Sequence, residues 1–207
     1  MEAATGPVAT AQALLERYVQ AKDLTRPQLM QDIYLPDAEL TYSIVTDSIA
    51  FPSRTLGVQS ITRTLVVDFA ARFAQCKTYY VCDSAPAPDT QIAVVPWLVL
   101  MREPATACLR AGKGCYRWSF ARDTDGALRA AAMHIHIERM EPIADETGDL
   151  LRAMQATLPY PWLPPAVMRA QFDALLARDA RFAFLTDLRS PLDRPACEQR
   201  LREAAAS

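Results

Sequence analysis

The feature that most constrains this chain is a two-residue alternation over 128–140. Met133, Ile135 and Ile137 alternate there with His134, His136 and Glu138. Successive side chains leave a strand on opposite sides, so this pattern reads as a strand with one buried face. Residues 115–122 repeat it, with Tyr116, Trp118 and Phe120 on one face. Asp123-Thr124-Asp125-Gly126 lies between the two segments and favours a tight turn. The pair is therefore expected as an antiparallel hairpin. Two strand-like segments precede it: 76–83, β-rich in composition, and 91–102, long and apolar, with Pro96 marking an edge or a bulge. Pro86, Pro88 and Asp89 turn the chain between them. Ala111-Gly112-Lys113-Gly114 is expected to turn it before residue 115.

On both sides of this block the period becomes helical. Ala11, Leu14, Leu15, Tyr18 and Val19 form one apolar stripe, with Thr10 as its cap. Thr25 and Gln28, with Pro27, fit a capping box for a short second helix. Residues 38–45 read as a strand, and Ile49 and Phe51 as the start of another that Pro52 stops. Gly57 precedes a helix marked by Val58, Ile61, Leu65, Phe69 and Phe73. After Pro142 several helices are expected, one with Leu150, Leu151, Met154 and Leu158 inside, one started by Pro164-Pro165, and a last one opened by Pro195. Helices set apart from a curved antiparallel sheet define the α+β class. The division is 1–142 for the α+β domain and 143–207 for a helical C-terminal extension packed on it.

Composition excludes several functions. The chain has 207 residues and a formal charge of -2, so a broad nucleic-acid footprint is not expected. No apolar run approaches the roughly 20 residues of a membrane span. The first dozen residues lack the basic start of a secretory signal. Cys76, Cys82, Cys108, Cys115 and Cys197 are odd in number and include no Cys-x-x-Cys pair. Neither a disulfide framework nor a zinc site is expected, but free thiols in a reducing cytoplasm.

Several short segments resemble the nuclear transport factor 2-like superfamily, in particular its SnoaL-like polyketide-cyclase branch. They are Leu14-Leu15-Glu16-Arg17-Tyr18, Tyr34-Leu35-Pro36-Asp37-Ala38-Glu39-Leu40, Gly57-Val58-Gln59-Ser60-Ile61 and Asp125-Gly126, in the family's order. The resemblance covers about the first two-thirds of the chain; 145–207 have no counterpart in the common pattern. It implies a cone, a curved sheet wrapped around the N-terminal helices with a pocket at its open end. Members include ketosteroid isomerases, scytalone dehydratases, polyketide cyclases and binding modules without catalysis, and the fold does not choose among them.

The resemblance also assigns candidate residues. Tyr18 corresponds to a pocket tyrosine that donates to an oxyanion, a role worth several kcal/mol where the donor is preorganised. Tyr42 stands where the isomerases carry their basic Asp, and Trp118 where they carry a protonated acid. A phenol with a pKa of about 10 is a poor base at neutral pH. Tyr42 also resembles a tyrosine that polarises the carbonyl in scytalone dehydratase-like members. Their Asp is missing at Gln20, although Asp23 lies close by. Asp32, Asp37 and Asp47 are further bases by charge. His134 and His136 share one strand face and could move a proton or, with Glu138, ligate a metal incompletely. The family register turns Met133 and Ile135 inward and the histidines toward an outer face often used for dimerisation; a one-residue slip would reverse this.

Trp97, Tyr116, Trp118, Phe120, Met133 and Ile135 are the expected pocket wall, suited to a hydrophobic or aromatic carbonyl compound. Tyr160-Pro161-Trp162-Leu163-Pro164-Pro165 is expected as a plug or a partner-facing segment. Two functions follow from these residues. One is a cofactor-free, metal-free isomerase, dehydratase or cyclase with Tyr18, Tyr42, Asp32, His134 and His136 as its machinery. The other is a non-catalytic ligand-binding or dimeric interaction module. They differ in one feature: catalysis requires an ionisable base facing the cavity.

Overall fold

The computed structural model describes residues 10–190 and 193–205. Helix α1 (Ala11–Asp23) and the short α2 (Met30–Ile33) lead into strands β1 (Tyr34–Ile44) and β2 (Arg54–Leu56). Helix α3 (Val58–Thr62) passes through a π-helical turn into α4 (Asp68–Ala70). Strands β3 (Ala74–Val81), β4 (Ile92–Glu103), β5 (Cys108–Arg122) and β6 (Leu128–Ala144) follow. The rest is helix α5 (Asp149–Thr157), strand β7 (Trp162–Leu163), and helices α6 (Pro165–Arg178), α7 (Leu185–Leu188) and α8 (Arg194–Ala205). The sheet order is β2-β1-β6-β5-β4-β3-β7. It is mostly antiparallel, but β1 runs parallel to β6 and β7 parallel to β3. Register shifts at Lys113/Gly114 and Ser119/Phe120 mark bulges, which bend a sheet.

The two sheet faces are buried by different parts of the chain. Tyr116, Trp118 and Phe120 of β5 and Met133, Ile135 and Ile137 of β6 face inward, against Leu14, Leu15, Tyr18 and Ile61 of the first helices. Trp118, Tyr18 and Tyr34 are among the largest fully buried side chains. Truncating one such ring costs about 3–5 kcal/mol. On the other face Tyr79, Leu98, Leu100 and Leu109 pack against Leu151, Met154, Phe172 and Leu185 of the C-terminal helices. The outer face over β3–β5 is therefore filled by the chain's own α5–α7.

The hairpin at 123–126 and the α1 stripe with its Thr10 cap form as the sequence implies; the Ala13 amide donates to Thr10 Oγ1 at 3.1 Å. Other local expectations are corrected. The 111–114 segment is not a turn but lies inside β5, and the chain reverses at Pro104–Ala107 instead. Its glycines serve close packing rather than reversal. A Cβ on Gly112 would stand 2.5 Å from Met140 Cε and 2.9 Å from the Arg139 carbonyl oxygen, and one on Gly114 would run into the His136 carbonyl and the Trp97 ring. Ile49 and Phe51 lie on the loop 45–53 rather than a strand, and the short strand comes later, at 54–56. Thr25 makes no capping box; it takes φ 52°, and the helical turn begins with Pro27. The 160–165 segment is not a plug: Trp162 and Leu163 pair with Tyr80 and Val81 as an edge strand.

The largest correction concerns the cysteines. Cys115 and Cys197 form a disulfide with Cα atoms 5.7 Å apart, buried with Leu201 and tying α8 to β5. Cys76, Cys82 and Cys108 are free. Pairing depends on where Cβ atoms meet in space, which an odd count and the lack of a Cys-x-x-Cys motif do not decide. The cytoplasmic expectation rested on free thiols and loses that support. No helix among the described residues is long and apolar enough to cross a membrane.

Candidate functional site

The inward faces of α1, β1, β4, β5 and β6 converge on a cavity. Helical spacing puts Tyr18 and Lys22 on one face of α1, four residues apart. Strand alternation brings Trp97, Val99 and Met101 from β4, Tyr116 from β5, and Ile135 and Ile137 from β6. Tyr42 of β1 completes the wall, its ring stacked on Phe51 at 4.7 Å. The space left among these residues is about 40 Å³. At ~10–15 Å³ for each water, that holds about three. Phe51 and Phe69 also line a second cavity of about 150 Å³ at the surface, so these two rings divide the inner space from an outer vestibule.

The cavity is rich in donors and poor in acceptors. The hydroxyls of Tyr18 and Tyr42 and the Trp97 indole nitrogen are buried without a hydrogen-bond partner. Lys22, 5% exposed, lies among them. Its ammonium pairs with Asp23 Oδ1 at 2.9 Å, contacts Cys76 Sγ at 3.3 Å and sits 4.5 Å from the Phe69 ring centre. Burial opposes the charge on Lys22, but neighbouring Asp23 and Cys76 outweigh it and hold the pKa above its ordinary value. Lys22 is thus a fixed cation and not a base. Burial raises the Tyr18 and Tyr42 pKa values well above the ordinary phenol range, so both remain neutral donors.

Asp23 anchors that cation. Thr78 donates to it twice, from its amide at 2.6 Å and its hydroxyl at 3.0 Å. The Tyr160 hydroxyl donates at 3.0 Å and the Cys76 thiol at 3.2 Å. With the Lys22 ammonium included, the carboxylate's roughly four lone-pair sites are taken. Burial first, then Asp23, pushes the Cys76 thiol up to about 12, so it is not a nucleophile at neutral pH.

The candidates from the sequence separate into three groups. Tyr18, Tyr42, Trp97, Tyr116 and Ile135 line the cavity. Trp118, Phe120 and Met133 face the same way but lie deeper: Trp118 packs edge-on to Tyr18 at 5.0 Å and stacks on Phe120, and Met133 Sδ accepts from the Tyr34 hydroxyl at 3.0 Å. Asp32, His134 and His136 do not face the cavity. Asp32 is a surface residue paired with Arg17 at 2.8 Å. Asp37 and Asp47 are exposed. The histidines project from the outer face, where Ser43 Oγ lies 2.9 Å from His134 Nε2 and 2.8 Å from His136 Nδ1. Among the described residues, no carboxylate or histidine lines the cavity, and no three His, Cys, Asp or Glu side chains converge as metal ligands.

Lys22 is the cavity residue that sequence reasoning passed over. A signal was present, since the stripe Leu14, Tyr18, Lys22 continues at four-residue steps and so points the lysine inward. In the sequence Asp23 stands out only as lying near the family's missing Asp, and nothing joins it to Cys76, 53 residues away.

No family model matches the chain, and no curated protein matches it in sequence. Solved structures do match. A nuclear transport factor 2 (NTF2-like) superfamily protein from Salmonella enterica serovar Typhimurium superposes with a TM-score of 0.50 at 14% identity, over 67% of this chain and 91% of that one. LinA superposes with a TM-score of 0.52 at 15% identity, over 63% of this chain and 85% of that one. At such identities the likeness establishes the fold alone.

Proposed function

We propose that this chain, which has the nuclear transport factor 2-like fold, uses the cone's cavity to hold a small hydrophobic molecule by an acceptor oxygen, without acid–base turnover there. The observation that carries this reading is the set of buried donors without partners, the Tyr18 and Tyr42 hydroxyls and the Trp97 indole N–H, gathered around the Lys22 cation. Buried polar groups are nearly always paired, so an orphaned set around a shared space points to a guest that supplies the acceptor. A carbonyl, phenolate or carboxylate oxygen fits, and the aromatic walls suit a flat apolar body. The absence of a base from the described lining favours binding over isomerisation or dehydration. A guest larger than a few atoms requires Phe51 and Phe69 to turn toward the vestibule. A homodimer through the outer sheet face is left only what α5–α8 do not cover.

The test is native mass spectrometry of the full chain, followed by denaturation and identification of what is released. A compound with an acceptor oxygen on an apolar body is expected, lost from Lys22→Met. An empty protein that shows no thermal shift with millimolar aromatic carboxylates or ketones would overturn the reading. Protein-dependent uptake of solvent deuterium at carbon in the bound compound would overturn its non-catalytic part.

A further inference from the structure

The outer face of β1 and β6 carries a hydrogen-bonded chain that the cavity does not use. Parallel pairing sets Thr41 beside His134 and Ser43 beside His136. Thr41 Oγ1 lies 2.8 Å from His134 Nδ1, and Ser43 Oγ bridges His134 Nε2 at 2.9 Å and His136 Nδ1 at 2.8 Å. His136 Nε2 lies 3.1 Å from Glu138 Oε2. With both rings neutral, one arrangement of protons satisfies all four contacts. A carboxylate only accepts, so His136 Nε2 donates to Glu138 and Nδ1 accepts from Ser43. Ser43 has one proton, so its oxygen accepts from His134 Nε2, and His134 Nδ1 accepts from Thr41. Burial, with His136 and Arg117 nearby, lowers the His134 pKa and favours its neutral form. The Ser43 hydroxyl is thereby aimed at an imidazole that a carboxylate orients from its far side.

We propose that Ser43, His136 and Glu138 form a nucleophile, base and orienting group on the outer sheet face, acting on a small carboxylic ester that carries an anionic group. Nucleophilic serine requires a base within hydrogen-bond reach and a third group that fixes the base. His136 is 3% exposed, and Glu138 is held from its other oxygen by Arg200 of α8 at 3.3 Å. A groove of about 600 Å³ lies between this face and α8, with Thr41 and His134 in its wall and Ser43 beside that wall, 2.9 Å from His134 Nε2. Arg117, Arg194 and Arg202 line it, against Glu198 as the one acid among the described lining residues, already paired with Arg194 at 3.0 Å. That excess of guanidinium selects the anionic group.

In the first step Ser43 Oγ bonds to the ester carbonyl carbon while its proton passes to His136 Nδ1. The ester C–O bond then breaks, and His136 returns that proton to the departing alcohol. Water attacks the acyl-serine, gives a proton to His136 and releases the carboxylic acid, and the proton returns to Ser43. No cofactor enters the balance.

The experiment is labelling of the full chain with a fluorophosphonate, read by intact mass and peptide mapping. One adduct on Ser43 is expected, absent from Ser43→Ala and formed at least about tenfold more slowly in Glu138→Gln, with circular dichroism confirming that both variants fold. Turnover of p-nitrophenyl hydrogen succinate is expected to exceed that of p-nitrophenyl acetate, and Arg117→Gln to reduce the difference. No adduct, an adduct elsewhere, or unchanged labelling in Glu138→Gln overturns the triad. Equal turnover of the two esters overturns the anionic substrate.

Discussion

The two faces of the β1–β6 pair handle polar groups in opposite ways. Inside the cone, the Tyr18 and Tyr42 hydroxyls and the Trp97 indole have no partner, and the Lys22–Asp23 ion pair is buried. Outside, two residues of β1 and three of β6 satisfy one another from Thr41 to Glu138. The same two strands supply both faces, since Tyr42 and Ile135 alternate with Thr41, Ser43, His134 and His136. An unsatisfied interior is one prepared for a guest, whereas a closed chain is stable by itself and has its proton directions fixed. Variants that remove single polar groups should therefore behave differently on the two faces.

The largest effect belongs to Lys22→Met. It removes the cation from a pair whose side chains are 5% and 1% exposed, leaving Asp23 as an uncompensated buried charge. A loss of about 3–5 kcal/mol is expected in urea unfolding. Lys22→Met/Asp23→Asn should recover part of it. An equal loss in the double variant would mean that packing, not charge, sets the cost. Gly114→Ala comes next. Its Cβ meets the backbone carbonyl of His136 and the Trp97 ring, neither of which yields as a flexible side chain does. We expect about 3 kcal/mol, the upper part of the overpacking range. Gly112→Ala, whose closest contact is the flexible Met140 tip, should cost less.

The direct comparison of the faces is smaller. Ser43→Ala leaves the His134 and His136 nitrogens without their shared partner and should cost about 1–3 kcal/mol. Tyr18→Phe removes a hydroxyl that bonds to nothing, so the empty protein should be no less stable, within about 0.5 kcal/mol. The same variant should weaken retention of the guest in native mass spectrometry. A clear destabilisation of empty Tyr18→Phe would show that its hydroxyl already has a partner.

How far the residues could be read in advance follows from the same geometry. Alternation at 115–122 and 128–140 separated Tyr116, Trp118, Met133 and Ile135 from the histidines but left open which set faces inward, because a period of two leaves a choice of face that only the family resemblance made. The α1 stripe placed Tyr18 on its apolar face. What escaped depends on contacts between distant segments. Gly112 and Gly114 resemble turn glycines in one dimension and are close-packing glycines in three. Cys115 meets Cys197 across a separation of 82 residues. Asp23 is held by Thr78 and Tyr160, neither of them near it in sequence. Lys22 was within reach, four residues beyond Tyr18 on the same helical stripe.

The smallest effect is the pH dependence of the outer chain. Burial, then His136 and Arg117, lowers the folded pKa of His134 below the ordinary value of about 6.5. Between the two pKa values the unfolded chain binds more protons at this residue than the folded one, so stability rises with pH there. His134 therefore contributes its full share of stability above pH ~6.5 and loses it as the pH falls toward its folded pKa. Protonation also turns Nδ1 into a donor, so the Thr41 hydroxyl must turn to accept instead of donate. The urea midpoint of the wild type should fall between pH 7.5 and 5, and that of His134→Asn should fall less. His136 and Glu138 lie farther along the chain and Arg117 lies beside it, and all three remain in the variant. An identical slope in both proteins would show that His134 is not the group whose protonation sets the pH dependence.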